Sequence, residues 1–210
     1  MDPMTTPRED ALDRWTGTLD PEGDYDRLLL DALDLAGADA ESARVIECLL
    51  RACDLDGATL DHAHVVDTTL ADCRAGMLRA RSGSWRDVVL RDCRFGAVEA
   101  FGGSWDRVTV EGGKIDYLNL RDSRLQDLRF TGCTIGDLDL AGVRAARVTF
   151  VECRVGRLDV TRAQLREVDL RGADLAGIDG TAGLKGATIS RHQLLELADA
   201  LAAHLGVTVR

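Results

Sequence analysis

This chain contains no stretch of about eighteen consecutive apolar residues, so no segment of it can cross a bilayer as a helix. Its N-terminus, MDPMTTPREDALDRW, has neither the basic start nor the apolar centre of a secretory signal, and a cytoplasmic location is expected. There is no Walker loop and no dinucleotide-type glycine fingerprint; glycines such as Gly57, Gly132, Gly142 and Gly172 are scattered, as turn residues are. His62, His64, His192 and His204 have no serine or cysteine nucleophile placed beside them, so no catalytic residue and no cofactor is assigned, and the protein is not expected to be an enzyme. Aromatic residues make up only 4% of the chain and are not interleaved with basic ones. Together with a net charge of −10, that argues against direct nucleic-acid binding.

What the sequence does contain is a period. Every fifth residue from Leu30 to Leu175 is apolar, with no slip of phase. A second register lies two residues earlier, at Leu28, Leu33, Ala38, Ala43, Cys48, Cys53 and onward to Ala173, and holds small or apolar residues without a single charge. The other three positions of each five carry nearly all the Asp, Glu, Arg and Lys. An α-helix turns about 100° per residue and would smear this pattern around its circumference. A flat strand would send alternate repeats to opposite faces. A chain that turns a corner once in five residues satisfies both registers, which predicts a stacked solenoid.

The number of corners comes from a longer spacing. Cys53, Cys73, Cys93, Cys133 and Cys153 are separated by multiples of twenty, with Gly113 at the vacant rung, and Trp85/Trp105, Gly83/Gly103 and Phe130/Phe150 are each twenty apart. Twenty residues therefore make one four-sided coil. Residues 28–175 give about seven coils, and at ~4.8 Å between stacked strands the rod is roughly 35 Å long. Cysteines stacked in one inward column have Cβ atoms ~4.8 Å apart, beyond the ~3.5 to 4.5 Å of a disulfide, so they are expected to be reduced core residues. No His or carboxylate shares the column, and no metal is expected there. Trp85 and Trp105 also fall in the inward register, with room supplied by Gly83, Gly103, Ala80 and Ala100; the other reading turns them outward as a partner-binding patch. Phe101 falls in an outward register and is the better candidate for an exposed aromatic.

A solenoid leaves unpaired strand edges at both ends and needs caps. Residues 1–24, with Pro3, Pro7, Pro21, Leu12, Trp15 and Leu19, are expected to be a partly ordered segment over the first coil, followed by the repeat at 25–189. After Leu175 the phase shifts by one, to Ala182, Leu184, Ala187 and Ile189. Ser190 followed by Gln193 is a capping-box signature that opens a helix over 190–210. Its stripe of Leu194, Leu197, Ala198, Leu201 and Leu205 either lies over the last coil or pairs with a second copy.

The segments CDLDGATL, FTGCTIGDLDLAG and VDLRGADLAG resemble the pentapeptide-repeat family, with its consensus A(D/N)LxG, over about residues 25–189. The resemblance implies an all-β, right-handed quadrilateral parallel β-helix closed by a C-terminal capping α-helix. The chain resembles loop-free members related to the fluoroquinolone-resistance pentapeptide proteins, since the unbroken phase leaves no room for an inserted loop. Some members dimerise through their C-terminal ends, which implies a homodimer here. The best-understood family activity is binding of type II topoisomerases such as DNA gyrase, in which a negatively charged dimeric rod imitates duplex DNA and protects against quinolones or related toxins.

The distribution of charge does not match such a mimic. Residues 1–61 hold 16 acids and 5 bases, a net of −11, whereas residues 62–210 hold 20 acids and 21 bases, a net of +1. The acidity, including Asp24, Asp26, Asp31, Asp34, Asp39 and Glu41, gathers at the N-terminal end, far from a C-terminal joint. The middle of the rod carries a basic line instead: Arg74, Arg94, Lys114, Thr134 and Arg154 follow successive rungs of the cysteine column. With Asp72, Asp92 and Glu152 across the rungs, it reads either as a row of solvated surface pairs or as a docking stripe for an acidic partner. The function expected from the residues is a non-catalytic protein-interaction scaffold whose partner the sequence does not name, with topoisomerase binding as the alternative.

Overall fold

A computed structural model describes residues 7–204 and 206–208 and contains a parallel β-solenoid of about eight turns closed by two short helices. Successive coils pair in register at a spacing of twenty residues, so that Trp85 lies opposite Trp105, Phe130 opposite Phe150, and Leu118 opposite both Val98 and Leu138. One sheet wraps the first and second sides, through eight-residue strands such as Ser84–Arg91, Ser104–Glu111 and Arg144–Val151. The other wraps the third and fourth sides, through Arg74–Arg79, Arg94–Glu99, Lys114–Asn119, Thr134–Asp139 and Cys153–Asp159. The seven coils expected from residue 28 onward are extended at the N-terminal end by β1 (Asp13–Trp15), which pairs with Leu28–Leu30 at the shorter spacing of fifteen.

The corners explain why five residues suffice for each side. The residue two after each inward apolar position is left-handed on most corners, including Ala32 (φ 53°), Asp72 (φ 55°) and Arg107 (φ 52°). A side chain in that region costs roughly 1–2 kcal/mol relative to the right-handed one. The stack offsets this with a hydrogen bond to the next coil: Ala32 N–H donates to Arg51 O and Asp72 N–H to Arg91 O, at 2.8 and 2.9 Å. The recurrent Asp of the repeat secures the same bend. Asp34, Asp54 and Asp139 each accept from the N–H two residues on, at 3.0–3.1 Å, as Asx turns do.

One corner changes type along the rod. Gly37 and Gly57 turn it with φ of 69° and 71°, whereas the residues stacked on them, beginning with Met77, are not left-handed, and the strands run through the bend. Asp56 Oδ1 bridges the change, accepting from the N–H groups of Gly76 (2.7 Å) and Met77 (3.1 Å).

The interior is a set of stacked columns. Leu120, Leu55, Val88 and Phe130 are fully buried, and each large apolar side chain removed from water contributes roughly 1.5–3 kcal/mol. Trp85 and Trp105 are buried and stacked at 5.4 Å with a 17° interplanar angle, and Phe130 and Phe150 at 4.8 Å and 10°. Identical rings repeat at nearly the strand spacing because the register is twenty. Gly103 is needed where the coils approach: a Cβ there would lie 2.6 Å from Gly83 O.

All six cysteines are free and buried. They are more than small fillers. Each of Cys48, Cys53, Cys73, Cys93 and Cys133 donates its thiol to the carbonyl twenty-three residues earlier, at 3.1–3.5 Å. Thr68 and Ser123 do the same with hydroxyls. Burial pushes the Cys48 thiol up to about 11, so it stays protonated and able to donate.

The ends are closed differently. At the start, Leu19 is buried, and Trp15 packs edge-on against Tyr25 at 5.6 Å. The Tyr25 hydroxyl accepts from Asp20 N–H at 2.7 Å. At the other end the phase shift appears as a spacing of nineteen between Val168 and Ala187. Helix α1 (Arg191–Glu196) then begins with the capping box, Gln193 N–H to Ser190 Oγ at 3.1 Å and Ser190 N–H to Gln193 Oε1 at 2.7 Å. Helix α2 (Ala198–His204) follows directly. Among the described residues, no helix is long and apolar enough to cross a membrane.

Candidate interaction surface

The expected basic line is a physical row. Arg74, Arg94, Lys114, Thr134 and Arg154 are opposite one another on consecutive strands of the third side. Its neutralisation is not the one expected. Asp72, Asp92 and Glu152 occupy left-handed corners and make no ion pair among the described residues with the arginines that follow them. Arg74 instead reaches back one coil to Asp54 at 2.9 Å, and Lys114 pairs with Asp116 at 2.7 Å on its own strand. Arg94 and Arg154 have no ion-pair partner among the described residues. The reason is geometric: stacking sets residues twenty apart directly opposite one another, so Arg74 meets Asp54 across the coils, whereas Asp72 lies around a bend from it.

Pairing across coils is the general rule on this surface. Arg51–Asp31, Arg81–Asp61, Arg107–Asp87 and Arg147–Asp127 all join residues twenty apart, at 2.5–2.8 Å. Hydrogen bonds from Arg51 and Arg147 hold the Asp31 and Asp127 carboxyls below their ordinary range.

Much of the acidic N-terminal group is engaged in this way. Asp31 is held by Arg51 and Arg14, Asp24 lies 3.8 Å from Arg44, and Asp26 lies 3.8 Å from Arg27. Asp34 and Asp39 turn back to accept from Ala36 and Glu41 N–H, both at 3.1 Å, while the Glu41 side chain is exposed. Phe101 stands on the fourth side at 36% exposure. His192 pairs with Glu196 along α1 at 3.2 Å, and among the described residues no three His, Cys, Asp or Glu come together to hold a metal.

The terminal helices pack by only part of the stripe read in the sequence. Gln193 and Leu197 are buried and Leu201 is half-buried, whereas Leu194 and Ala198 are exposed; Leu205 lies outside the described residues. The polar Gln193 faces the solenoid because the last coil needs donors. Its Nε2 donates to Leu170 O and Ala173 O, both at 2.7 Å. Gln193 is twenty residues beyond Ala173 and twenty-three beyond Leu170, so it takes the next place on the cysteine column and repeats the bond the thiols make.

A surface that the sequence reading passed over lies on the first side. Two adjoining depressions meet at Arg124 and Arg144, which line both, and together they extend as a broken groove from Ser84 to Gly186. The side sinks there because its positions hold Ser84, Ser104, Ala145 and Ala146, with Gly83 and Gly103 beneath. The signal was available as a second run at a spacing of twenty, Ser84, Ser104, Arg124, Arg144 and Gln164.

Neither a family model nor a curated protein matches the chain in sequence. Among solved structures it is similar to full-length QnrB1, a plasmid-mediated fluoroquinolone resistance protein, at 18% identity and a TM-score of 0.42, over 90% of this chain and 99% of that one. It is also similar to HetL, a pentapeptide repeat protein involved in heterocyst differentiation regulation from the cyanobacterium Nostoc sp. strain PCC 7120, at 16% identity and a TM-score of 0.29, over 80% of this chain and 90% of that one. The five-residue period and the twenty-residue coil of this chain's own structure make it a parallel β-solenoid with five residues to a side and four sides to a coil.

Proposed function

We propose that this protein is a cytoplasmic, non-enzymatic scaffold that binds another protein through the outer surface of its solenoid. The observation that supports this most is how the reactive groups are used. The cysteine thiols are buried donors within the core, His192 pairs along its own helix, and many arginines lock one coil to the next. What varies from coil to coil is the outward side-chain pattern on a rigid frame, which is the raw material of recognition. The third-side row is one such pattern, and Arg94 and Arg154 are its uncommitted charges. Affinity capture with the wild type and with a variant in which Arg74, Arg94 and Arg154 are replaced by Glu tests this; a capture profile identical for the two removes that row as the contact.

Binding of a type II topoisomerase by imitation of DNA is the second reading, and the net charge of −10 favours it. A homodimer joined at the C-terminal end would place exposed Leu194 and Ala198 against a second copy. Titration of DNA gyrase supercoiling with the purified protein, with its mass in solution measured alongside, decides between the readings. Inhibition by a dimer supports the mimic, and inactivity at tens of micromolar leaves the scaffold.

A further inference from the structure

The first-side groove gathers cations with few carboxylates among them. Arg124, Arg144, Arg166 and Lys185 line it and are all exposed. Among the described residues none of the four has an ion-pair partner, while Arg51, Arg74, Arg81, Arg107 and Arg147 each bind a carboxylate one coil away. Arg124 and Arg144 are directly opposite each other on adjacent strands, an arrangement of like charges that is unfavourable unless a counter-charge lies over it. Asp122, at a corner, is the one carboxylate among the lining residues.

We propose that this groove binds an extended acidic segment of a partner protein, laid along the solenoid axis. The groove crosses about five coil steps of ~4.8 Å, roughly 24 Å, which matches about seven extended residues. Carboxylates of such a segment meet the four cations. Its backbone meets the hydroxyls of Ser84 and Ser104, 3.4 Å apart, and its small apolar side chains meet the floor of Ala145, Ala163 and half-buried Leu165. A nucleic-acid strand fits less well. Trp85 and Trp105 lie beneath the surface, so the groove offers bases no ring to stack on, and the molecule's net charge of −10 repels a polyanion outside the groove.

The inference rests on the scaffold reading and names the chemistry of its partner. The test is fluorescence anisotropy with a labelled ten-residue peptide of alternating Glu and Ala, beside a Lys and Ala peptide and a ten-nucleotide single strand. The proteins are the wild type, the doubles R124Q/R144Q and R166Q/K185Q, and R8Q/R129Q as a control that removes two exposed cations elsewhere, each checked for native circular dichroism. The expected result is saturable binding of the acidic peptide alone, weakened by salt, at least ten-fold weaker in both groove doubles and within two-fold of wild type in the control. Absence of binding, equal weakening in the control, or equal binding of the oligonucleotide would overturn the proposal. So would self-association of the wild type that both groove doubles abolish, since the groove would then hold a second copy. Capture from native cytosol separates the two levels: partners retained equally by wild type and groove doubles sink the groove and leave the scaffold, whereas peptide binding with no partner captured sinks the scaffold and leaves the groove.

Discussion

Arg147 and Asp127 stand one coil apart at two left-handed corners, with φ of 55° and 54°, and share two hydrogen bonds, Nε to Oδ1 at 2.6 Å and Nη2 to Oδ2 at 2.7 Å. Arg107 and Asp87 repeat the arrangement two coils earlier, at 2.6 and 2.7 Å. A flat guanidinium matched to a carboxylate in this way is the stronger kind of surface pair, and here it ties together corners that carry backbone strain.

Because the Arg147 hydrogen bonds lower the Asp127 pKa, that pair is stabilising above the ordinary aspartate value near 3.9, and the contribution is lost as pH falls through the depressed value. Chemical denaturation followed from pH 7 to pH 2 should show stability declining below about pH 4, and Asp127→Asn should make that decline shallower. At pH 7 both Asp127→Asn and Arg147→Ala should cost about 1 kcal/mol or less, since the pair is partly solvated. An acid limb unchanged by the Asn variant would show that the pair is not titrating.

Leu120 has no exposed surface. Leu120→Asp buries an unpaired carboxylate and should abolish the cooperative thermal transition. Leu120→Val should keep it, at about 1 kcal/mol of loss. A soluble, cooperatively melting Asp variant would mean that position 120 does not face the core.

Gln193→Leu keeps the size of the side chain but takes the Gln193 donor from Ala173 O and leaves Leu170 O with the Ala173 N–H alone. The expected loss is roughly 2–3 kcal/mol, with early hydrogen exchange in the last coil. Ser190→Ala removes only the helix cap and should cost about 1 kcal/mol. Equal losses in the two variants would reduce Gln193 to its role in the capping box.

Gly103→Ala places a methyl 2.6 Å from Gly83 O beside the stacked tryptophans. A cost of roughly 1–3 kcal/mol is expected, together with an altered near-ultraviolet circular dichroism signal from Trp85 and Trp105. An unchanged spectrum and melting point would mean that the coils separate at this corner without consequence.

In the native protein at neutral pH, the six buried thiols should react with a disulfide reagent only as fast as the solenoid opens, and stoichiometrically in denaturant. Fast reaction of one or more thiols in the native state would contradict the burial of the column.

The repeat was legible from residues 30–175 because each side of the coil is short, straight and made by neighbours in the chain. Two inward positions in five dictate a corner in five, and the spacing of Cys73, Cys93 and Cys133 dictates four corners to a coil. The capping box at Ser190 was legible for the same reason, since its two partners are three residues apart. What the sequence could not assign were relationships between coils. Arg74 has Asp72 nearer in the chain, yet it pairs with Asp54, because stacking brings residues twenty apart to within hydrogen-bonding distance while Asp72 lies around a bend from it. Gln193 reads as one helix residue among others until the last coil presents it with two carbonyls. The groove likewise exists only once Ser84, Ser104, Arg124 and Arg144 are stacked on one side. Periodicity is a property of the local chain and is written along it; the choice of ion-pair partners, the closing of the open end and the hollow on the first side are properties of contact between coils, which only the folded stack decides.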